Sequence, residues 1–246
     1  MPWAVAMDWR DAMFLHWRAD AGALRRILPT DLELDLYDGA AWISIVAFRI
    51  TGARLRGVPR FAGLPPFNEI NVRTYVRDAE KPGVWFLSLD AANALAVWTG
   101  RRALHLPYVN ARIEGSWDGA TYAYRSARIG PTTARFDATV HIATSPRIVA
   151  PGSLQHWLAE RYCFFTVDDR GRSLRGDVEH EPWPLHDGTP SIAANTLLAA
   201  ANVTPLDEAP LAHASPGVST RARPVHPAAA NRAGGAGATL LRRGVS

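Results

Sequence analysis

Apolar and polar positions alternate with period two along much of this chain, and segments with helical spacing are few. In residues 69–76, Ile70, Val72, Thr74 and Val76 fall on one face, and Glu69, Asn71, Arg73 and Tyr75 on the other. That is the pattern of a half-buried strand whose second face carries polar groups free for other work. Residues 13–17 read as a short apolar strand, and a helix starts at Asp20 and stops before Pro29. A turn at Asp38 and Gly39 leads into a strand over 41–48, and a Gly/Pro-rich run over 52–66 reads as a long loop. Lys81, Pro82 and Gly83 form a turn that makes 69–76 and 84–89 an antiparallel hairpin. A helix over 91–104 follows, with Leu95, Val97 and Trp98 available for burial. Further strands are expected at 108–114, 121–126, 135–143, 162–168 and 173–180, with a helix at 153–161. Many strands, short turns and a few helices predict an α+β protein: a strongly bent, mainly antiparallel sheet or β-barrel flanked by helices.

With 246 residues and 48% hydrophobic positions, the chain can bury one full core, placing one domain at 1–220. From 221 to 246 the composition turns to Ala, Pro, Gly and Arg, which predicts a disordered low-complexity tail. The first ten residues lack a signal-peptide pattern, and the apolar segments are broken before membrane-spanning length. A cytoplasmic location with no membrane partner is expected. The formal charge of +4 comes from Arg residues dispersed among acids, not from a concentrated basic face, so no nucleic-acid partner is expected. The single cysteine, Cys163, lies among Tyr162, Phe164 and Phe165 and reads as a packed thiol. No nucleophile elbow, phosphate loop, zinc-protease helix or dinucleotide fingerprint is present, and no cofactor or metal is expected.

Several motifs occur in order: Phe14, Leu15, His16, Trp17; Glu69 through Val76; Gly83, Val84, Trp85, Phe86; Glu160, Arg161, Tyr162; and Pro182, Trp183, Pro184, Leu185. Together they resemble DUF2071, the YqjF-like family of unknown function. Trp9 to Asp35, Phe67, Asn68, Glu69, Leu89, Asp90, Gly100, Arg101, Arg102, Leu106 and Pro107 are similar to the acetoacetate decarboxylase superfamily to which that branch is related. The resemblance spans roughly the first two hundred residues. It implies the decarboxylase-like fold, self-association into a homo-oligomer, and a pocket for a small organic acid or carbonyl compound. In the decarboxylases, a lysine after the Gly-Arg and Pro motif forms an imine with the keto acid, assisted by a second lysine. Tyr108 and Val109 occupy those two positions here, and the only lysine in the chain is Lys81, in the expected turn. Imine decarboxylation therefore has no residue to carry it. Arg10 and Glu69 match pocket positions of the superfamily, whereas a second acidic pocket position is Ile43.

Each candidate has two readings. Glu69 is a ligand-orienting or acid–base group, or else the partner of Arg10 or Arg73 in a salt bridge. Arg10, Arg73 and Arg101 offer planar forks to a carboxylate, or are solvated surface groups. Tyr108 is a hydrogen-bonding ligand anchor or a core tyrosine. His16, His105, His141 and His180 read as structural before they read as bases or metal ligands, since His180 alternates away from Glu179 and Glu181. Arg161 reads as helix-end support and Trp183 as a plug of the barrel end, with pocket contact second for each. A lysine-independent lyase, isomerase or hydrolase using Glu69 is the enzyme alternative. An oligomeric assembly protein burying some of its nine tryptophans is the third.

Overall fold

A computed structural model describes residues 2–59 and 62–229. The first half contains β1 (Val5–Ala19), α1 (Ala21–Ile27), β2 (Glu33–Leu34), β3 (Ala41–Leu55), β4 (Phe67–Arg77), β5 (Pro82–Ala91), α2 (Ala94–Leu104) and β6 (Tyr108–Trp117). The second contains β7 (Thr121–Arg128), β8 (Arg135–Ile142), β9 (Arg147–Ile148), α3 (Leu154–Ala159), β10 (Cys163–Val167), β11 (Ser173–His180), β12 (Pro184–Asn195), α4 (Leu197–Ala200), β13 (Leu211–Ala222) and β14 (His226–Pro227).

All but β9 lie along one path, β14-β11-β10-β5-β6-β7-β8-β12-β13-β1-β3-β4-β2, and β9 pairs with β12. Two extra pairings fold this path back on itself. Pairing of β4 with β5 closes a circuit through β6, β7, β8, β12, β13, β1 and β3. Pairing of β11 with β13 closes a second through β10, β5, β4, β3 and β1. The expected α+β architecture is therefore present as one strongly curved sheet with two closures rather than a single strict barrel. Most neighbours are antiparallel, and the parallel pair β5–β6 is bridged by α2, as a parallel connection requires.

Strands β1, β3 and β4 belong to both circuits, so both of their faces look into an interior. Met13, Leu15, Ile43, Ile45, Ile70 and Val72 fill the first core. Phe14, Val46, Phe48 and Phe67, on the opposite faces, join Trp183 and Leu185 in a second. This explains the near-continuous apolar run of β3 from Ala41 to Phe48, interrupted only by Ser44, the mark of a strand buried on both sides. It also corrects the half-buried reading of residues 69–76, because Glu69, Asn71 and Tyr75 are as buried as Ile70 and Val72.

Several expected elements shift. β1 is three times the length expected, and it survives a break: Asp11 takes a positive φ of 54° where the register with β3 jumps between Arg10 and Met13. The bulge reverses the inward parity of the strand, a standard effect of one extra residue. The long loop begins only after Leu55, since β3 continues through Gly52. Asn93 caps α2 by accepting from the Ala96 N–H at 3.0 Å, which starts the helix later than position 91. Within α2 only Val97 is buried as expected; Leu95 and Trp98 are exposed. β12, α4 and most of β13 fall in a stretch where no element was expected. Of the predicted disordered tail, Ala222 ends β13 and β14 pairs with β11, while residues 230–246 lie outside the described residues. No helix among the described residues is long and apolar enough to cross a membrane.

The burial contrast yields a prediction. Leu15→Ala, in the fully buried first core, should lower stability by about 2–5 kcal/mol. Leu95→Ser on the open face of α2 should stay within about 0.5 kcal/mol of wild type. Urea midpoints at constant slope measure both, and equal losses would contradict the described core.

Candidate functional site

The polar face of β4 opens into a cavity of about 120 Å³ enclosed by the second circuit. Glu69, Asn71 and Arg73 line it in a row, because every second residue of a strand points the same way. At one end the Tyr108 hydroxyl donates to Glu69 Oε2 at 2.9 Å. Tyr108 is the first residue of β6, held there by three constraints. Its N–H donates to the Leu106 carbonyl at 2.8 Å, and its carbonyl accepts from Arg101 Nε at 2.7 Å. Its ring lies so close to Gly100 that an added Cβ would stand 2.4 Å from Cδ2 and Cε2. The glycine of the Gly100, Arg101 motif is thus needed for close approach of helix and ring.

Burial pushes the Glu69 carboxyl up to about 7, against the opposing pull of the Tyr108 hydrogen bond and with a further upward push from the charge of Asp90. Burial, and then the neighbouring Glu69, hold the Tyr108 phenol well above its ordinary range, so it stays a neutral donor at physiological pH. Asp90 is itself fully buried and paired with Arg128, Nε to Oδ2 2.8 Å.

The other end carries cations. Arg73 Nη2 and the Tyr75 hydroxyl both donate to the Leu158 carbonyl, at 3.1 and 3.0 Å. Arg161, in the link from α3 to β10, pairs with Asp35 at 2.6 Å and donates from Nε to the Trp157 carbonyl at 2.8 Å. Its guanidinium lies 4.9 Å from the Tyr75 ring centroid and 4.2 Å from that of Trp157. Arg73 Nε, Arg161 Nη2 and Asn71 Oδ1 are buried without hydrogen-bond partners among the described residues.

Aromatic groups make the remaining wall. Trp183 stacks on Trp9 with centroids 6.0 Å apart and meets Phe14 edge-on at 5.1 Å. Its segment is tied to α3 by Glu160, which accepts from the Trp183 N–H at 2.8 Å and from the Tyr162 hydroxyl at 2.6 Å. The two sequence motifs around Glu160 and Trp183 are therefore one structural unit.

Of the residues singled out from sequence, Glu69, Arg73 and Tyr108 converge on this cavity and Arg10 and Arg101 do not. Arg10 precedes the bulge at Asp11, where odd positions Met7 and Trp9 point inward, so its side chain is 41% exposed and lies 3.5 Å from Asp8. Arg101 is exposed and acts on the backbone of Tyr108. His180 lines the cavity, with Nδ1 2.8 Å from the Glu181 carbonyl. His141 is exposed beside Thr121, and His105 caps α2 in a left-handed conformation. His16 is buried 2.7 Å from Ser44, and burial, His213 and Arg73 keep it neutral. Lys81 bridges to Asp177 at 3.0 Å. Cys163 borders the cavity, and burial raises its thiol to about 12. Among the described residues, no group of three or more His, Cys, Asp or Glu side chains could hold a metal ion. Arg161 was underrated: only the Glu160, Arg161, Tyr162 motif pointed to it, and a helix-end arginine explains itself locally.

The profile of DUF2071, whose description is an uncharacterized conserved protein, matches residues 6–219. The chain belongs to the DUF2071 family. The YqjF protein of Bacillus subtilis strain 168 is 38% identical to this DUF2071 chain over 211 residues, covering 86% of this chain and 87% of its own. Among solved structures, the acetoacetate decarboxylase of Legionella pneumophila superposes with a TM-score of 0.67 at 14% identity, covering 93% of this chain and 88% of that one. The enduracididine biosynthesis enzyme MppR, solved with pyruvate, gives a TM-score of 0.67 at 14% identity, covering 92% and 91%. These similarities establish the acetoacetate decarboxylase-like fold for this DUF2071 member.

Glu69 ionises near 4.5 when unfolded and near 7 when folded. The folded state therefore holds an extra proton between these values, and stability falls as pH rises through that window. Glu69→Gln removes the titration, so the variant should gain on wild type by roughly 3 kcal/mol from about pH 4 to about pH 8. Urea melts across this range test it, and a constant difference would show an unperturbed carboxyl.

Proposed function

We propose that this DUF2071 protein binds a small organic acid or carbonyl compound in the cavity between β4, Tyr108 and Trp183, without imine chemistry. The Glu69–Tyr108 hydrogen bond inside an aromatic-walled cavity carries this reading. Few convergent polar groups in an apolar concavity are the usual makeup of a small-molecule site. The volume of about 120 Å³ is of the order of cavities of about 150 Å³ that admit benzene. The amine that an imine requires is missing from the matching position, and Lys81 is held in an ion pair at a turn. When Glu69 is protonated and donates to it, the Tyr108 phenol is free to turn its single O–H to a ligand oxygen.

The value near 7 for Glu69 favours a second reading, a lysine-independent lyase, isomerase or hydrolase. A group poised at ambient pH is suited to both taking and returning a proton. In an isomerisation, the carboxylate would take a proton from the carbon beside a carbonyl and return it elsewhere. Tyr108 would donate a hydrogen bond to the oxygen that gains charge meanwhile. Self-association, implied by the same family resemblance, has the exposed Leu95 and Trp98 of α2 as available apolar surface.

A thermal-shift screen of keto acids, hydroxy acids and aldehydes tests the binding reading, since a ligand at a hundred times its Kd adds about 2.7 kcal/mol of stability. The shift should weaken in Tyr108→Phe and persist in Arg10→Ala, which lies outside the cavity. A shift lost in Arg10→Ala and kept in Tyr108→Phe would contradict the site. Turnover abolished in Glu69→Gln with affinity retained would establish the enzyme reading.

A further inference from the structure

We infer that a buried line of hydrogen bonds, running from His16 through Ser44 and Tyr75 to the carbonyl end of α3, is an acid-sensitive latch that holds α3 over the cavity. The donors in this line have one consistent order. The Tyr75 hydroxyl gives its proton to the Leu158 carbonyl at 3.0 Å. Ser44 Oγ, 2.7 Å from the Tyr75 oxygen, must then donate to it, and His16 Nδ1, 2.7 Å from Ser44 Oγ, must donate to Ser44. His16 is thereby fixed as the neutral tautomer with its proton on Nδ1. All four residues of the line are buried, at 1% exposure or less. With only six residues, α3 is too short to hold a helix by itself, so its place depends on such ties. Ala159 at its end lines the cavity, so release of α3 opens that wall.

The surroundings of His16 offer an added proton no acid. Its ring stacks on Phe14 at 6.1 Å and faces His213 of β13 at 5.6 Å. The charges that act on it are those of His213 and of Arg73 on β4, and both repel a proton. Arg161, beside the Tyr75 ring, is already paired with Asp35. Asp187 of β12 lies 3.7 Å from His213 and is held by Arg147 at 2.7 Å. With α3 lifted, water reaches the line and His16 ionises as an ordinary imidazole, near 6.5. The open form then binds a proton that the closed form refuses, so the closed form is favoured above that value and loses ground as pH falls below it. Glu69 has the opposite sign, because enclosure makes it hold a proton, and it must be silenced to read the latch.

Hydrogen exchange of the full chain carrying Glu69→Gln, read by mass spectrometry and corrected for the intrinsic pH dependence of exchange, tests the inference. The opening constant of α3 should be level above about pH 7 and rise roughly eightfold from about pH 6 to about pH 5, with no such rise in β7 and β8. Adding His16→Asn, which keeps a donor for Ser44 and cannot titrate, should abolish the rise. His213→Phe, outside the line, should keep it. Tyr75→Phe, which cuts the bond to α3, should raise the opening constant of α3 roughly fivefold at about pH 8. A flat profile for α3 in Glu69→Gln would overturn the latch whatever the further variants do. So would a rise that survives in folded His16→Asn, one that vanishes in His213→Phe, an equal rise in β7 and β8, or unchanged protection of α3 in Tyr75→Phe.

Discussion

Everything particular to this site follows from β4 being buried on both faces. A strand shared by two closed circuits has no solvent side, so each polar residue on it must find a partner or accept a perturbed state. The face toward the first core is met with Ile70 and Val72, and Thr74 donates to the Trp42 carbonyl at 2.8 Å. The opposite face carries Glu69, Asn71 and Arg73, and it is tolerated because a cavity, a phenol and the carbonyl at the end of α3 lie opposite. Glu69 responds by holding its proton to about 7, and Arg73 by stretching to the Leu158 carbonyl.

The segment from α3 to the start of β12 completes the enclosure. Glu160 joins the end of α3 to the Trp183 backbone, so the aromatic wall and the Arg161 cation are positioned by one carboxylate and its neighbours. Proline on both sides of Trp183 leaves the Trp183 N–H as the one backbone donor of residues 182–184, and Glu160 accepts from it. Tyr108 sets a neutral polar group against Glu69 without adding a charge to a mostly aromatic and aliphatic cavity.

Turn chemistry on both sides made β11 legible residue for residue, with Asp168 to Gly171 before it and Pro182 after it, although Val178 is its only β-branched residue. The polar face of β4 was readable in the same way, and with it Glu69 and Arg73; that it was also buried was not, because periodicity reports which face a residue is on and not what covers it. Strand β12 escaped notice because Gly188 and Pro190 interrupt it and its register shifts between Ile192 and Ala194. β13 was masked by small residues and by Pro216 and Gly217. Arg10 lies outside the cavity because of the bulge at Asp11: one residue of excess reverses every side chain before it, and motif alignment does not see parity. Leu95 and Trp98 failed in the opposite sense, their apolarity suggesting burial on a helix that buries mainly Val97 and Gly100.

The central claim is that the cavity holds Glu69 in its protonated form near neutrality, against the Tyr108 phenol. Infrared difference spectroscopy of wild type against Glu69→Gln, following the carbonyl stretch of a buried carboxylic acid during a pH titration, measures this directly. A band lost with a midpoint of about 7 is the predicted result. A Glu69 signal already fully ionised above about pH 5, in the range of an ordinary carboxylate, would contradict the account.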